Sequence, residues 1–133
     1  MGTLRMRRDG HTFGQSAEIS AERYLRRKGF RILERNRRSI TGELDLIAEA
    51  GDVLVFVEVK ARRSRRYGGA AAAVDPPKQR RLIILAAQYL AYHQIQNRAC
   101  RFDVVLYDEG SGASLAIDHI ENAFEVPGED LRW

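Results

Sequence analysis

The chain has 133 residues, enough for one hydrophobic core and too few for two ordinary domains. With 44% hydrophobic and 30% charged residues it has the composition of a folded soluble domain rather than of a disordered or membrane protein. The net charge of +4 is modest, but the basic residues cluster at Arg5 to Arg8, Arg23 to Lys28, Arg31 to Arg38, Arg62 to Arg66 and Lys78 to Arg81, a placement that suits a polyanionic partner or, cluster by cluster, a solvated face.

No apolar run reaches the roughly 18 to 20 residues of a bilayer span, and Met1 to Thr12 lack the apolar core of a signal peptide. The single cysteine, Cys100, cannot form an internal disulfide and reads as a small buried residue at the start of a strand, so a reducing, cytoplasmic setting is expected. Residues 1–12 read as a basic, flexible arm, 13–121 as the folded domain and 122–133 as a weakly ordered tail.

The first predicted element is a helix over Gly14 to Lys28, with Ala17, Ala21, Tyr24 and Leu25 recurring at spacings of three and four. Arg26, Arg27 and Lys28 suit the negative end of its dipole, and Gly29 can take the left-handed position that ends it. A short strand around Phe30 to Arg35 and an Arg-rich turn through Thr41 follow. Residues 43–50 and 53–60 are then the clearest strands, joined by Gly51-Asp52, with glycine where a two-residue type II′ turn needs it. Arg62 to Val74 reads as a loop. Asp75 can cap, and Pro76 open, a long helix whose inward stripe is Leu82, Ala86, Tyr89, Leu90 and His93. Strands near Arg101 to Tyr107 and Ser114 to Ile120 complete the order α-β-β-β-α-β-β, an α/β fold with a mixed central sheet.

The hairpin carries the chemistry. With Ala50 opposite Val53, Asp45 falls opposite Glu58 and Glu43 opposite Lys60. Side chains alternate along a strand, so one face receives Leu44, Leu46 and Ala48 with Val55, Val57 and Val59, and must lie on a core. The other carries Ile47, Leu54 and Phe56 near the turn but Glu43, Asp45, Glu58 and Lys60 at the open end. Opposed residues hold their Cβ atoms about 4.5 to 5.5 Å apart, so two carboxylates there require either a retained proton or a bound cation. Mg²⁺ or Mn²⁺ suits such a site, because Mg²⁺ accepts hard oxygen ligands, often only one or two carboxylates, and completes its shell with water and phosphate oxygens. Lys60 would sit beside the ion and orient the attacking water or stabilise charge on phosphorus. Among 19 Arg and three Lys, a compact ammonium at this position fits a catalytic role. The structural alternative is a surface hairpin in which Glu43 and Lys60 form an ordinary ion pair.

Gly42-Glu43-Leu44-Asp45-Leu46-Ile47-Ala48 followed by Val57-Glu58-Val59-Lys60 resembles the PD-(D/E)XK nuclease superfamily, which includes Holliday-junction resolvases. With Gly14, Glu18, Ala21, Tyr24 and Leu25, Gly29, Asn36, Arg38 and Lys78-Gln79-Arg80-Arg81-Leu82, the chain is similar to the YraN family of small bacterial endonuclease-like proteins. The resemblance implies a restriction-endonuclease-like three-layer fold and a metal-dependent endonuclease acting on DNA, with branched or otherwise structured DNA as the expected form. It implies Asp45 and Glu58 as metal ligands, Lys60 as the catalytic lysine and Glu18 as a further acid; Glu43 is an extra acid on the same face. The alternative is a nucleic-acid-binding or adaptor protein that keeps the fold without turnover.

Glu18 lies one position off its helix's apolar stripe, and its plain reading is an exposed acid. Gln79 is expected either to contact substrate near the helix N-terminus or to cap it. Lys78, Arg80 and Arg81 are candidate phosphate contacts, as are Arg38, Arg62 and Arg63 from the clusters flanking the hairpin. His11, His93 and His119 show no ligand spacing and read as structural or exposed. A resolvase-like role makes a two-fold homodimer attractive, because two symmetric cuts need two sites.

Overall fold

A computed structural model describes residues 12–62, 74–108 and 116–126. Their elements are α1 (Thr12–Arg27), β1 (Arg31–Arg38), β2 (Glu43–Ala50), β3 (Val53–Arg62), α2 (Pro76–Tyr92), β4 (Cys100–Asp108) and β5 (Ala116–Ile120). The five strands form one sheet in the order β1-β2-β3-β4-β5. Only β3 and β4 run parallel, joined by a crossover that contains α2; the other neighbours are antiparallel. The helices lie on opposite faces, each on its own core, so the expected mixed sheet between helical layers is the observed fold.

Local chemistry explains the boundaries. Helix α1 ends with the Phe30 N–H on the Leu25 carbonyl and the Gly29 N–H on the Arg26 carbonyl, both at 3.0 Å, with Gly29 at φ +96°. This double closure leaves Phe30 folded back into the core beside Ala21 and Leu25. Asp75 caps α2 by accepting the Lys78 N–H at 3.0 Å, and Pro76 occupies the first turn. At the hairpin tip Gly51 has φ +62° while Asp52 is not in the left-handed region, the pattern of a type II′ turn.

Beneath α1, Leu46, Ala48, Val55 and Val57 form the core face expected of them; beneath α2 lie Ile47, Leu54, Phe56 and Phe102. Leu44 departs from the expected alternation and joins the α2-side core. The reason is local: the ladder between β2 and β3 runs from Ala50↔Val53 to Leu46↔Val57, and Leu44 lies beyond its end.

Three boundaries also differ. Strand β1 continues through Arg38, so most of the expected Arg-rich turn is edge strand, where charged side chains meet water; Asn36 within it is left-handed, at φ +52°. Strand β3 extends to Arg62. The start of the expected tail is core: Phe124 stacks on Phe102 with ring centroids 4.7 Å apart, and the Ala123 N–H donates to the Phe102 carbonyl at 2.7 Å. Burying such an aromatic side chain is worth about 2 to 3 kcal/mol, enough to outweigh the turn-forming composition that follows it. Thr12, placed in the proposed arm, opens α1; the arm's residues 1–11, the loop residues 63–73, the turn over 109–115 and the tail from 127 lie outside the described residues, as do His11 and Arg63.

Candidate functional site

The site begins where the hairpin ladder stops. A continued antiparallel ladder would direct the Val59 N–H to the Leu44 carbonyl. Instead Val59 donates to Asp45 Oδ2 at 2.8 Å, so a side-chain carboxylate takes the place of a backbone acceptor. Strand β3 continues past this point because β4 supports it on the other side, from Leu54↔Cys100 to Arg62↔Asp108. The acids therefore stand on a well-held strand beside an opening.

Asp45, Glu58 and Glu43 line one cleft of about 220 Å³, together with Thr41, Gly42, Lys78, Arg81, Leu82 and Leu85. Glu58 is buried, at 7% exposure. Burial pushes the Asp45 carboxyl up, to about 8; the Glu58 charge pushes the same way, the Val59 N–H opposes it, and Glu18 and Glu43 add to the rise. The expected crowding of negative charge is thus present and centred on Asp45.

Glu58 has a different answer to that crowding. Lys78 Nζ, from the first turn of α2, lies 2.8 Å from Glu58 Oε2. Nothing in the sequence pairs these residues, because the contact depends on where the crossover helix lands. Lys78 is therefore ion-paired while 36% of its side chain remains open to solvent.

The remaining candidates spread around this centre. Glu18 reaches it from α1, where Asn36 Nδ2 donates to Glu18 Oε1 at 2.9 Å. Asn36 faces the Asp45 position of β2 by the register that pairs Arg35 with Leu46 and Arg37 with Leu44. Its left-handed backbone turns an otherwise solvent-facing amide into a tether for Glu18. Glu43 accepts from Arg38 Nε at 3.5 Å, and so draws Arg38 to the rim. Lys60 is exposed, two residues beyond Glu58 on β3, and is not among the residues lining the cleft. Gln79 donates to the Val74 carbonyl at 3.1 Å, which ties the first turn of α2 to the residue before its cap. Arg80 is exposed, and Arg62 ends β3.

The donor set suits a hard dication, since Asp45 and Glu58 offer carboxylate oxygens and share the cleft. No group of three or more His, Cys, Asp or Glu side chains among the described residues is arranged to hold an ion. Glu43 therefore does not complete a cage with the other two, and the pair would need water and substrate oxygens, the habit of Mg²⁺.

A second polar cluster lies on β4 and β5. Asp103, fully buried, accepts from Arg101 Nε at 2.9 Å, from the Asn122 N–H at 3.0 Å and from His119 Nε2 at 2.8 Å. Lys28 Nζ donates to His119 Nδ1 at 2.8 Å. His119 is structural, as expected; Asp103 has no signal in the sequence beyond an acid in an apolar strand. His93, expected on the inward stripe of α2, is instead its exposed C-cap and packs on Tyr89 at 4.3 Å between ring centroids.

Two helices flanking a mixed five-stranded sheet, with paired acids where the central hairpin opens, define a three-layer α/β domain consistent with a nuclease-like fold. Residues 17–107 match the model of the "Uncharacterised protein family UPF0102". The chain belongs to that family. It is 50% identical over 113 residues to a UPF0102 protein of Symbiobacterium thermophilum, covering 85% of this chain and 96% of the relative. A UPF0102 protein of Pelotomaculum thermopropionicum is 48% identical over 113 residues (84% and 93%), and one of Rhodococcus opacus 47% over 111 residues (84% and 94%).

Proposed function

We propose that the chain is a metal-dependent endonuclease of the PD-(D/E)XK type that hydrolyses phosphodiester bonds of DNA, with branched or otherwise structured DNA as the preferred form. The observation that carries this reading is the convergence of Asp45 and Glu58 in one cleft, with Asp45 driven up to about 8 by burial and by its acidic neighbours. Such a pair is poorly suited to a purely structural role, where one acid would serve with less repulsion.

Asp45 and Glu58 would hold Mg²⁺ or Mn²⁺. The ion would supply Lewis acidity toward a phosphoryl oxygen and a bound water more acidic than bulk water. Val59 keeps the Asp45 carboxylate oriented through its N–H. Lys60 follows Glu58 on the same strand face, where its ammonium can meet charge developing on phosphorus. Glu18, held by Asn36, adds negative charge near Asp45 and strengthens the demand for a cation. Lys78 and Arg81 at the cleft, and Arg38 and Arg80 nearby, provide positive charge for phosphates. A two-fold dimer would present two such sites to one junction.

The test is a cleavage panel of duplex, single-stranded, flapped and four-way DNA with Mn²⁺, run on wild type and Asp45→Ala. Cutting by wild type that disappears in the variant is the expected result. If no substrate is cut at any Mn²⁺ concentration, the catalytic reading fails.

The Lys78–Glu58 pair favours a second reading, a nucleic-acid-binding or adaptor protein whose acids are neutralised from within. Here binding weakens with salt and survives Glu58→Gln. Removing one phosphate-contacting residue such as Arg80 would then lower the slope of log K against log salt by about 0.9 on duplex DNA.

A further inference from the structure

Lys78 stands where an ion would be most attracted. Its ammonium is 2.8 Å from Glu58 Oε2, inside the cleft that Asp45 and Glu43 also line. A dication drawn to Asp45 and Glu58 would meet this positive charge at close range, and the two cations would repel in a partly buried site. The ion cannot take Glu58 fully while Lys78 holds it. Lys78 can leave without disturbing its helix, because it contributes to the cap through its backbone N–H on Asp75, not through its side chain. Moving to Asp45 or Glu43 would leave it in the same cleft beside the ion, so to clear the ion it needs an anion from outside that acidic group. Phosphates entering the cleft would provide one, with Arg81 on the same wall to share them.

We propose that Lys78 is an internal counter-ion that holds Glu58 until a phosphate chain enters the cleft, so that metal and nucleic acid bind cooperatively. The proposal rests on the nuclease reading above and adds its regulation. Metal bound without nucleic acid is weak, and nucleic acid releases Glu58 by giving Lys78 a new partner. Because coupling free energies are reciprocal, metal must tighten nucleic-acid binding by the same factor. The free protein is thereby kept from loading its ion before a substrate is present.

Calorimetric titration of Mn²⁺ into wild type, Lys78→Met and Lys78→Arg, without nucleic acid, tests the first half. Methionine keeps the apolar stem of the side chain and removes the ammonium. Lys78→Met should bind Mn²⁺ at least about fivefold more tightly than wild type, the lower end of typical coupling, while Lys78→Arg should not. Fluorescence anisotropy of a short phosphorothioate duplex, with and without Mn²⁺, tests the second half, and Asp45→Asn gives the background effect of Mn²⁺ on the duplex itself. Mn²⁺ should tighten duplex binding of wild type above that background and of Lys78→Met much less. Equal Mn²⁺ affinity in wild type and Lys78→Met, or equal tightening of the duplex in both, overturns the counter-ion role and leaves the nuclease reading intact. Absence of Mn²⁺ binding in every variant, with or without duplex, overturns both.

Discussion

The carboxylate of Asp45 holds the backbone N–H of Val59 at 2.8 Å, at the place where the ladder between their two strands ends. The bond gives Asp45 two duties. It closes the backbone account of β3 and it fixes the orientation of an acid whose charge the site resists.

That resistance sets a pH dependence. The folded value for Asp45 is pushed up to about 8, above its ordinary value near 4, so the native chain holds this proton more tightly than the unfolded chain. Its contribution to stability is therefore greatest at low pH and is lost as pH rises from about 4 through about 8. Asp45→Asn keeps an oxygen for the Val59 N–H and removes the charge. At pH 8 the variant should be more stable than wild type by at least about 1.4 kcal/mol, the equivalent of one pKa unit. Thermal unfolding between pH 5 and pH 9, at roughly unit steps, checks this; a variant that loses stability with rising pH as steeply as wild type would remove Asp45 as the source.

Asp103 works in the opposite sense. Burial opposes its ionisation, but bonds from His119, Arg101 and Asn122 outweigh that and hold the carboxyl below its ordinary value. A depressed folded value gives stability that is fully present above the unfolded pKa, near 4, and is lost as pH falls through the folded one. Asp103→Ala leaves Arg101 and His119 facing an empty acceptor, at a cost of about 3 to 5 kcal/mol at neutral pH. Urea unfolding at pH 7 and at lower pH should show the gap between variant and wild type narrowing on acidification.

Lys60 separates chemistry from metal binding. It is exposed and outside the residues lining the acidic cleft, so Lys60→Ala should leave Mn²⁺ affinity within about twofold of wild type. Cleavage should fall by about 100-fold or more, the usual cost of removing a group that stabilises transition-state charge. Single-turnover rates beside calorimetry measure the two quantities. Unchanged rates would transfer the lysine's role elsewhere, with Lys78 the nearest candidate.

Asn36 is a test of the tether. An L-residue other than Asn or Gly in its left-handed backbone costs about 1 to 2 kcal/mol, so Asn36→Ala should lower the melting temperature and Asn36→Gly should not. Both remove the amide that holds Glu18. If Glu18 contributes through its position, the two variants will differ in stability but share a loss of turnover; full activity in Asn36→Gly would show that the tether is dispensable.

These residues also mark how far the sequence could be read. Gly51-Asp52 and strict alternation fix the register from Ala50↔Val53 to Leu46↔Val57, because turn chemistry and pleat are local. Gly29 and Asp75 mark their helix ends for the same reason. The placement of Leu44 on the other core, the pairing of Lys78 with Glu58 and the buried Asp103 all depend on packing between distant segments. Phe124 shows the same limit: a lone aromatic before a Pro-Gly segment has no periodicity to show that Phe102 awaits it.

The two-residue turn between β2 and β3 has a consequence for the order of assembly. A hairpin so tightly connected closes at little entropic cost, whereas β4 reaches β3 only through the crossover containing α2. If the hairpin forms first, Asp45 and Glu58 meet while both are hydrated, and α2, which supplies Lys78, Arg81, Leu82 and Leu85 to the cleft wall, would exclude that water on docking. The helix that dries the acids is the one that delivers Lys78, so dehydration and neutralisation arrive in a single step.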